Sequence, residues 1–161
     1  MDNICYMKTP FDAVLKITDD GENIRTVSYV MNACGCCLGA LASPLGNEAK
    51  RQLSEYFNGM RKSFDLPLKP HGTEFQRKIW SILCDIPYGE TVSYRHIAEL
   101  AGIPGGSRAA GQANRKNPIA VVIPCHRVIS SDGSPGGYSP DINYKLALLE
   151  IEGVFLQVHK Q

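Results

Sequence analysis

The spacing of apolar residues changes period near the middle of the chain. Residues 13–17 alternate apolar and polar, 19–23 read Asp-Asp-Gly-Glu-Asn, and apolar positions resume over 24–30. Alternation on both sides of a glycine-bearing polar turn predicts a β-hairpin. Over 47–57, Ala49, Leu53, Tyr56 and Phe57 recur at helical spacing and Asn58-Gly59 ends the run, which predicts a helix. Residues 64–68 alternate again and predict a further strand. The small, Gly- and Cys-rich stretch 31–44 predicts no element. Pro67, Pro70 and Gly72 mark a boundary near 69–72.

Beyond that boundary the period is helical. Thr73 with Gln76 three residues on forms a capping box, and Phe75, Ile79, Trp80, Ile82 and Leu83 supply one apolar face before Pro87. Residues 88–91 are a turn. Ser93 is placed to cap a short helix carrying Ile97, Ala98 and Leu100, and 102–106 form a second turn. Ser107 is placed to cap a helix over 108–114. A last helix over 143–152 carries Leu146, Leu148, Leu149 and Ile151 and stops at Gly153. The two short helices around a glycine-bearing turn fit a helix-turn-helix. The second reads Arg-Ala-Ala-Gly-Gln-Ala-Asn, and its small residues suit close approach either to a DNA groove or to a neighbouring helix. The pattern alone leaves both open.

Length and charge narrow the picture. A chain of 161 residues builds one sizeable core or two small ones. The net charge is only +1, but it is unevenly spread. Residues 1–70 hold eight Lys/Arg and eight Asp/Glu, whereas 91–130 hold Arg95, Arg108, Arg115, Lys116 and Arg127 against the single acid Glu99. Such a stretch is either a solvated face or a patch that attracts an anion such as a phosphate backbone. No repeat is visible, and there is no run of about 18 apolar residues that would span a membrane. Residues 1–16 contain Asp2, Lys8, Pro10 and Asp12, unlike an apolar leader. The expected location is the cytoplasm, or the nucleus of a eukaryote, where the six cysteines stay reduced.

One stretch concentrates chemistry. The apolar run 119–123 leads into Pro124-Cys125-His126-Arg127. Proline fixes its own φ and pushes Ile123 away from helical geometry, which predicts a strand-to-turn exit for Cys125. An imidazole and a cation beside a thiol favour thiolate, the nucleophilic form. The polar, glycine-rich loop 130–139 that follows suits close approach of a ligand. An ordinary buried cysteine is the competing reading. Adjacent side chains diverge, so Cys125 and His126 need a turn or a bridging water. The imidazole also needs an acceptor, for which Asp132, Asp141, Glu150 and Glu152 are all candidates. A hydrolase using the same dyad remains open at this level.

Several motifs in order resemble the O6-alkylguanine-DNA alkyltransferases (methylated-DNA–protein-cysteine methyltransferases). They are Gly72-Thr73-Glu74-Phe75-Gln76, Ile86-Pro87-Tyr88-Gly89-Glu90-Thr91, Ser93-Tyr94, Arg108, Asn117-Pro118, Ile123-Pro124-Cys125-His126-Arg127-Val128-Ile129, Gly137-Tyr138-Ser139 and Glu152-Gly153. The likeness covers 64–153. It implies an α/β N-terminal domain over 1–70, with a small antiparallel sheet plus helix, ribonuclease-H-like. A mostly α-helical C-terminal domain with a helix-turn-helix would follow over 71–161.

The resemblance also implies roles. Cys125 would accept the alkyl group, His126 would deprotonate it through a water, and Glu152 would orient His126. Asn117 would set the turn carrying Cys125. Tyr94 would protonate the leaving guanine and help rotate the nucleotide. Arg108 would fill the gap in the duplex, with Arg95, Arg115 and Ser131 as further DNA contacts. Asn114, Val128 and Ser139 would line the substrate. The implied partner is double-stranded DNA with O6-alkylguanine flipped out, engaged by a monomer in a single turnover, without membrane or cofactor. Whether O4-alkylthymine is also a substrate is left open by the resemblance.

Two features set limits on the resemblance. Some members carry zinc in the first domain, but Cys34-Gly35-Cys36-Cys37 is tight for metal spacing, Cys5 stands apart, and no histidine lies in 1–70; the expectation is no metal. A related non-enzymatic group has tryptophan at the position of Cys125, so a sensor of alkylated DNA is the alternative to an enzyme.

Overall fold

A computed structural model describes residues 1–33, 35–138 and 140–157, apart from the Cys36 side chain. Cα packing divides them into two compact units, 1–71 with 118–122, and 72–117 with the residues from 123 onward.

The first unit is an antiparallel sheet in the order β1 (Asn3–Lys8), β2 (Val14–Asp19), β3 (Ile24–Val30). The predicted hairpin is β2–β3, with Leu15 opposite Tyr29 and Ile17 opposite Val27. Alternation sends Leu15 and Ile17 into the core, and a register shift opposite Thr18 and Asp19 brings Ile24 to the same face as Val27, together with Ala49, Leu53 and Tyr56 of helix α1 (Pro44–Phe57). That helix begins earlier than its periodicity suggests. Ser43 caps it by accepting from Gly46 N at 2.8 Å, and Pro44 sits at its first position, where a missing N–H costs nothing.

A buried carboxylate ties this unit together. Asp19 accepts from Asn3 Nδ2 (2.9 Å), from Gly21 N in the hairpin turn (2.9 Å) and from Ser43 Oγ (2.7 Å). One side chain thus links β1, the β2–β3 turn and the positive end of α1. The expected strand over 64–68 does not form. Among the described residues its only ladder contact is a bridge from Leu68 to Ile24, because Pro67 has no N–H to continue one. Nor is 119–123 a strand. Within the first unit Val27 N donates to Pro118 O and Ala120 N to Val27 O, after which Val122 N turns back to Ala120 O at 2.9 Å. That three-residue turn holds Val121 at φ 71°, a conformation β-branched residues rarely adopt.

The second unit is helical: α2 (Glu74–Cys84), α3 (Tyr94–Leu100), α4 (Ser107–Arg115) and α5 (Ile142–Ile151). The Thr73–Gln76 capping box and the Ser93 cap form as their spacing predicts. Ser107 is not a cap. It is the first helical residue, and Gly106 precedes it, packed so tightly on Ile103 that a Cβ would lie 2.6 Å from Ile103 Cδ1. Two short parallel strands, β4 (Val92–Ser93) and β5 (Val128–Ile129), pair beside the helices. Trp80 is buried and donates Nε1–H to Ala113 O at 2.9 Å, fixing α2 against α4. On α4 the small residues divide: Ala110 and Ala113 are buried, while Arg108, Ala109, Gln112 and Arg115 are exposed. None of the described helices is long and apolar enough to cross a membrane.

Gly72 abuts the indole, and a Cβ there would lie 2.4 Å from Trp80 Cη2. Because the ring is pinned at its nitrogen, Gly72→Ala is expected to cost about 1–3 kcal/mol. Gly39→Ala, with nothing within 4 Å, should change stability by less than about 0.5 kcal/mol. Urea unfolding of the two variants checks the contrast.

Candidate active site

Cys125 lies where successive tight turns replace regular structure. Pro124 (φ −82°, ψ 61°) is the centre of an inverse γ-turn closed by Cys125 N→Ile123 O at 2.8 Å. The 3-10 turn Cys125–Arg127 follows. Two asparagines fix it from outside: Asn117 Nδ2 donates to Ile123 O (2.9 Å) and Asn114 Nδ2 to Cys125 O (3.3 Å). Cys125 as a residue is 6% exposed. Burial pushes its pKa up, while hydrogen bonds from Asn117 and Tyr138 and the charge of Lys145 oppose that rise.

Of the four acids that could orient His126, the fold selects Glu152, whose Oε1 lies 2.8 Å from His126 Nε2. The others are occupied elsewhere: Asp132 shapes its own loop through Ser134, Asp141 caps α5, and Glu150 is exposed. Glu152 also accepts from Arg127 Nε (2.9 Å) and Nη2 (2.9 Å) and from Gly89 N (3.1 Å). Arg127 Nη1 reaches Ile86 O at 2.6 Å. Arg127 is therefore a buried partner of the carboxylate, not part of an outer basic patch. Burial, together with the charges of Arg127 and Lys145, lowers the His126 pKa, and the bond to Glu152 pulls the other way.

Tyr94 opens α3, and its pKa is raised by burial and by the charge of Cys125. Its ring has little spare room, since a Cβ on Gly136 would come within 3.0 Å of it. Arg115 lies alongside the same loop, 3.3 Å from where a Gly137 Cβ would stand. Arg95, Arg108 and Ser131 are exposed, and Arg95 lies 3.8 Å from Glu99. Asn114 Oδ1 is buried and accepts no hydrogen bond. Val128 is buried, and its carbonyl accepts from Lys145 Nζ at 2.5 Å. Ser139, Cys34 and the Cys36 side chain lie outside the described residues. The sequence reading passed over Lys145. The only available signal was a lysine three residues before the Leu148-Leu149 pair, on the turn of α5 that faces inward.

A buried cysteine on a pinned turn, followed in the chain by a buried imidazole–carboxylate pair, is an arrangement that can serve a cysteine nucleophile. Comparison with known proteins identifies the class. Residues 74–154 match the family model described as 6-O-methylguanine DNA methyltransferase, DNA binding domain. A methylated-DNA–protein-cysteine methyltransferase of Methanosarcina barkeri is 54% identical over 105 residues, 65% of this chain and 66% of that protein, so the match spans about two thirds of the curated relative. The crystal structure of Mycobacterium tuberculosis O6-methylguanine methyltransferase superposes with a TM-score of 0.83 at 38% identity, covering 94% of this chain and 93% of that one. Mycobacterium tuberculosis OGT in complex with DNA gives 0.82 at 39%, covering 92% and 91%. The chain belongs to the methylated-DNA–protein-cysteine methyltransferase family.

The buried imidazole predicts a pH dependence of stability. The folded state holds His126 below its ordinary pKa of 6.5, so below that value the unfolded chain binds the extra proton and stability falls with pH. Between about pH 7.5 and 5, His126→Gln should lose this component, a slope of up to about 1.4 kcal/mol per pH unit, as read by urea unfolding at each pH.

Proposed function

We propose that this protein repairs DNA by direct damage reversal, moving the alkyl group of O6-alkylguanine in duplex DNA irreversibly onto Cys125. The observation that carries this reading is the buried Cys125 on a turn pinned by Asn114 and Asn117, followed directly by the His126–Glu152 pair, on a chain of this family. His126 takes the thiol proton through a water, and Asn117 holds the turn. The sulfur attacks the alkyl carbon, a C–S bond forms, and the C–O6 bond breaks. Guanine would leave as an anion, so it takes a proton from Tyr94, whose raised pKa keeps the phenol protonated at neutral pH. The product is a thioether, which water does not cleave at useful rates, so each molecule reacts once.

The reacting atom lies within the base stack, so the nucleotide must swing out of the duplex, at about a few kcal/mol. In this reading α3 and α4 are a helix-turn-helix. The exposed Ala109 and Gln112 let α4 approach DNA closely, and Arg108 fills the vacated position. Arg95, Arg115 and Ser131 contact the backbone. Asn114, whose Oδ1 is a free buried acceptor, lines the base pocket with the backbone of Val128 and with Ser139. The helical unit is then the DNA-binding and alkyl-acceptor domain, and the sheet with its one helix is a ribonuclease-H-like support. The protein acts as a monomer where DNA is kept, in the cytoplasm or a nucleus.

Duplex DNA carrying isotopically labelled O6-methylguanine is expected to transfer one methyl group per chain, located on Cys125 by peptide mass spectrometry and absent in Cys125→Ala. DNA binding without a covalent product would favour a sensor of alkylated bases, and continuous turnover of esters would favour a hydrolase. Arg108→Ala should slow reaction with the duplex by about tenfold or more while sparing free O6-benzylguanine, because only the duplex reaction includes the extrusion cost. Equal losses on both substrates would remove Arg108 from that role.

A further inference from the structure

The chain that leads to Cys125 is held at two points and strained between them. Ala120 is the upstream point. Its N–H donates to Val27 O at 2.8 Å, and Val27 N donates to Pro118 O at 2.9 Å, so Ile119 pairs with β3 in a parallel bridge. Ile123 is the downstream point. Its carbonyl accepts both Cys125 N at 2.8 Å and Asn117 Nδ2 at 2.9 Å. Only Val121 and Val122 connect the two. They do so through a γ-turn centred on Val121, closed by Val122 N→Ala120 O at 2.9 Å, with Val121 at φ 71°. This is the rare, strained hand of the γ-turn.

The residue type at that position is the informative part. Of the described residues with positive φ, eight are glycines, and Asp12 and Asn32 belong to the types that enter this region most readily. Val121 is the exception, and a β-branched residue there is strained. What valine adds is restriction. Its left-handed well is narrow, whereas glycine ranges widely in φ and ψ. Val121 is 0% exposed, and burial of its side chain offsets the strain. We infer that Val121 is a positioning residue for the alkyl transfer: its cramped turn fixes the direction in which Ile123 and Pro124 carry the chain into Cys125, and the strain accompanies that rigidity. The inference rests on the proposed alkyl transfer for its purpose and extends it to a residue four positions before the nucleophile.

Two substitutions separate rigidity from bulk. At an ordinary position glycine is less stable than alanine. At φ 71° the order should reverse, with the urea midpoint of Val121→Gly at or above that of Val121→Ala. Alkyl transfer should run the other way. Transfer from free O6-benzylguanine is expected to be about tenfold slower in Val121→Gly than in Val121→Ala at saturation, with the half-saturating concentration unchanged, because the turn aims the sulfur and does not hold the base. Modification of Cys125 by iodoacetamide, located by peptide mass spectrometry, should instead be faster in Val121→Gly, since a loosened turn admits a small electrophile that needs no set geometry. A glycine variant less stable than the alanine variant, or one that matches it in both reactions, would overturn the inference. If either variant does not fold, hydrogen exchange in the wild type decides: the Val122 N–H that closes the turn should exchange as slowly as the Ala120 N–H, and faster exchange would overturn the rigid turn. Failure of the wild-type protein to take up the benzyl group would overturn the repair reading instead, and the urea, iodoacetamide and exchange measurements would still report on the turn.

Discussion

Glu152 is the point from which the active site is built. It follows directly on α5 with no side-chain exposure, and it gathers His126, both ends of the Arg127 fork and the backbone N–H of Gly89. A buried carboxylate is tolerable only when its lone pairs are so occupied. The arrangement fixes two separate segments of chain, 126–127 and Gly89, around one side chain. Arg127 also reaches the carbonyl of Ile86, so the end of α2 is drawn into the same network. Removing the carboxylate would leave a buried guanidinium without its partner, which typically costs more than the pair contributes. The orientation of the imidazole, and through it the state of the thiol, depends on this interaction.

Features that depend on near neighbours in the chain were legible in the sequence. The Thr73–Gln76 box, the Ser93 cap and the β2–β3 hairpin are local, and each forms. Features set by distant partners were not. β1 owes its existence to β2, and its own composition gave no alternation strong enough to announce it. Residues 64–68 alternate like a strand but lack a continuous partner. The run 119–123 is apolar because it is buried, and it folds as turns. Ser107 has the residue type of a cap, but the close packing of Gly106 on Ile103 sets the helix start one residue earlier. The resemblance pointed to Glu152, while spacing alone left four acids level; only the fold separates them by distance. Lys145 was invisible because a lysine beside leucines reads as the polar edge of a helix, and nothing local says that its ammonium turns inward.

The helix α4 meets one of the two requirements that its sequence left open, close packing within the core, and the proposed function assigns it the other. Its small residues serve core packing at Ala110 and Ala113, where the carbonyl of Ala113 receives the Trp80 indole. Its outer positions stay slim at Ala109 and carry the cations Arg108 and Arg115.

The near-complete enclosure of the Cys125 sulfur has a consequence outside the reaction itself. On the proposed reading the sulfur reacts once, and such a group is wasted by any stray oxidant or electrophile that meets it first. Cys84, whose residue is exposed, has no such shelter. Enclosure makes ionisation harder, yet in that reading it also preserves the reagent through the interval between synthesis of the protein and its one reaction.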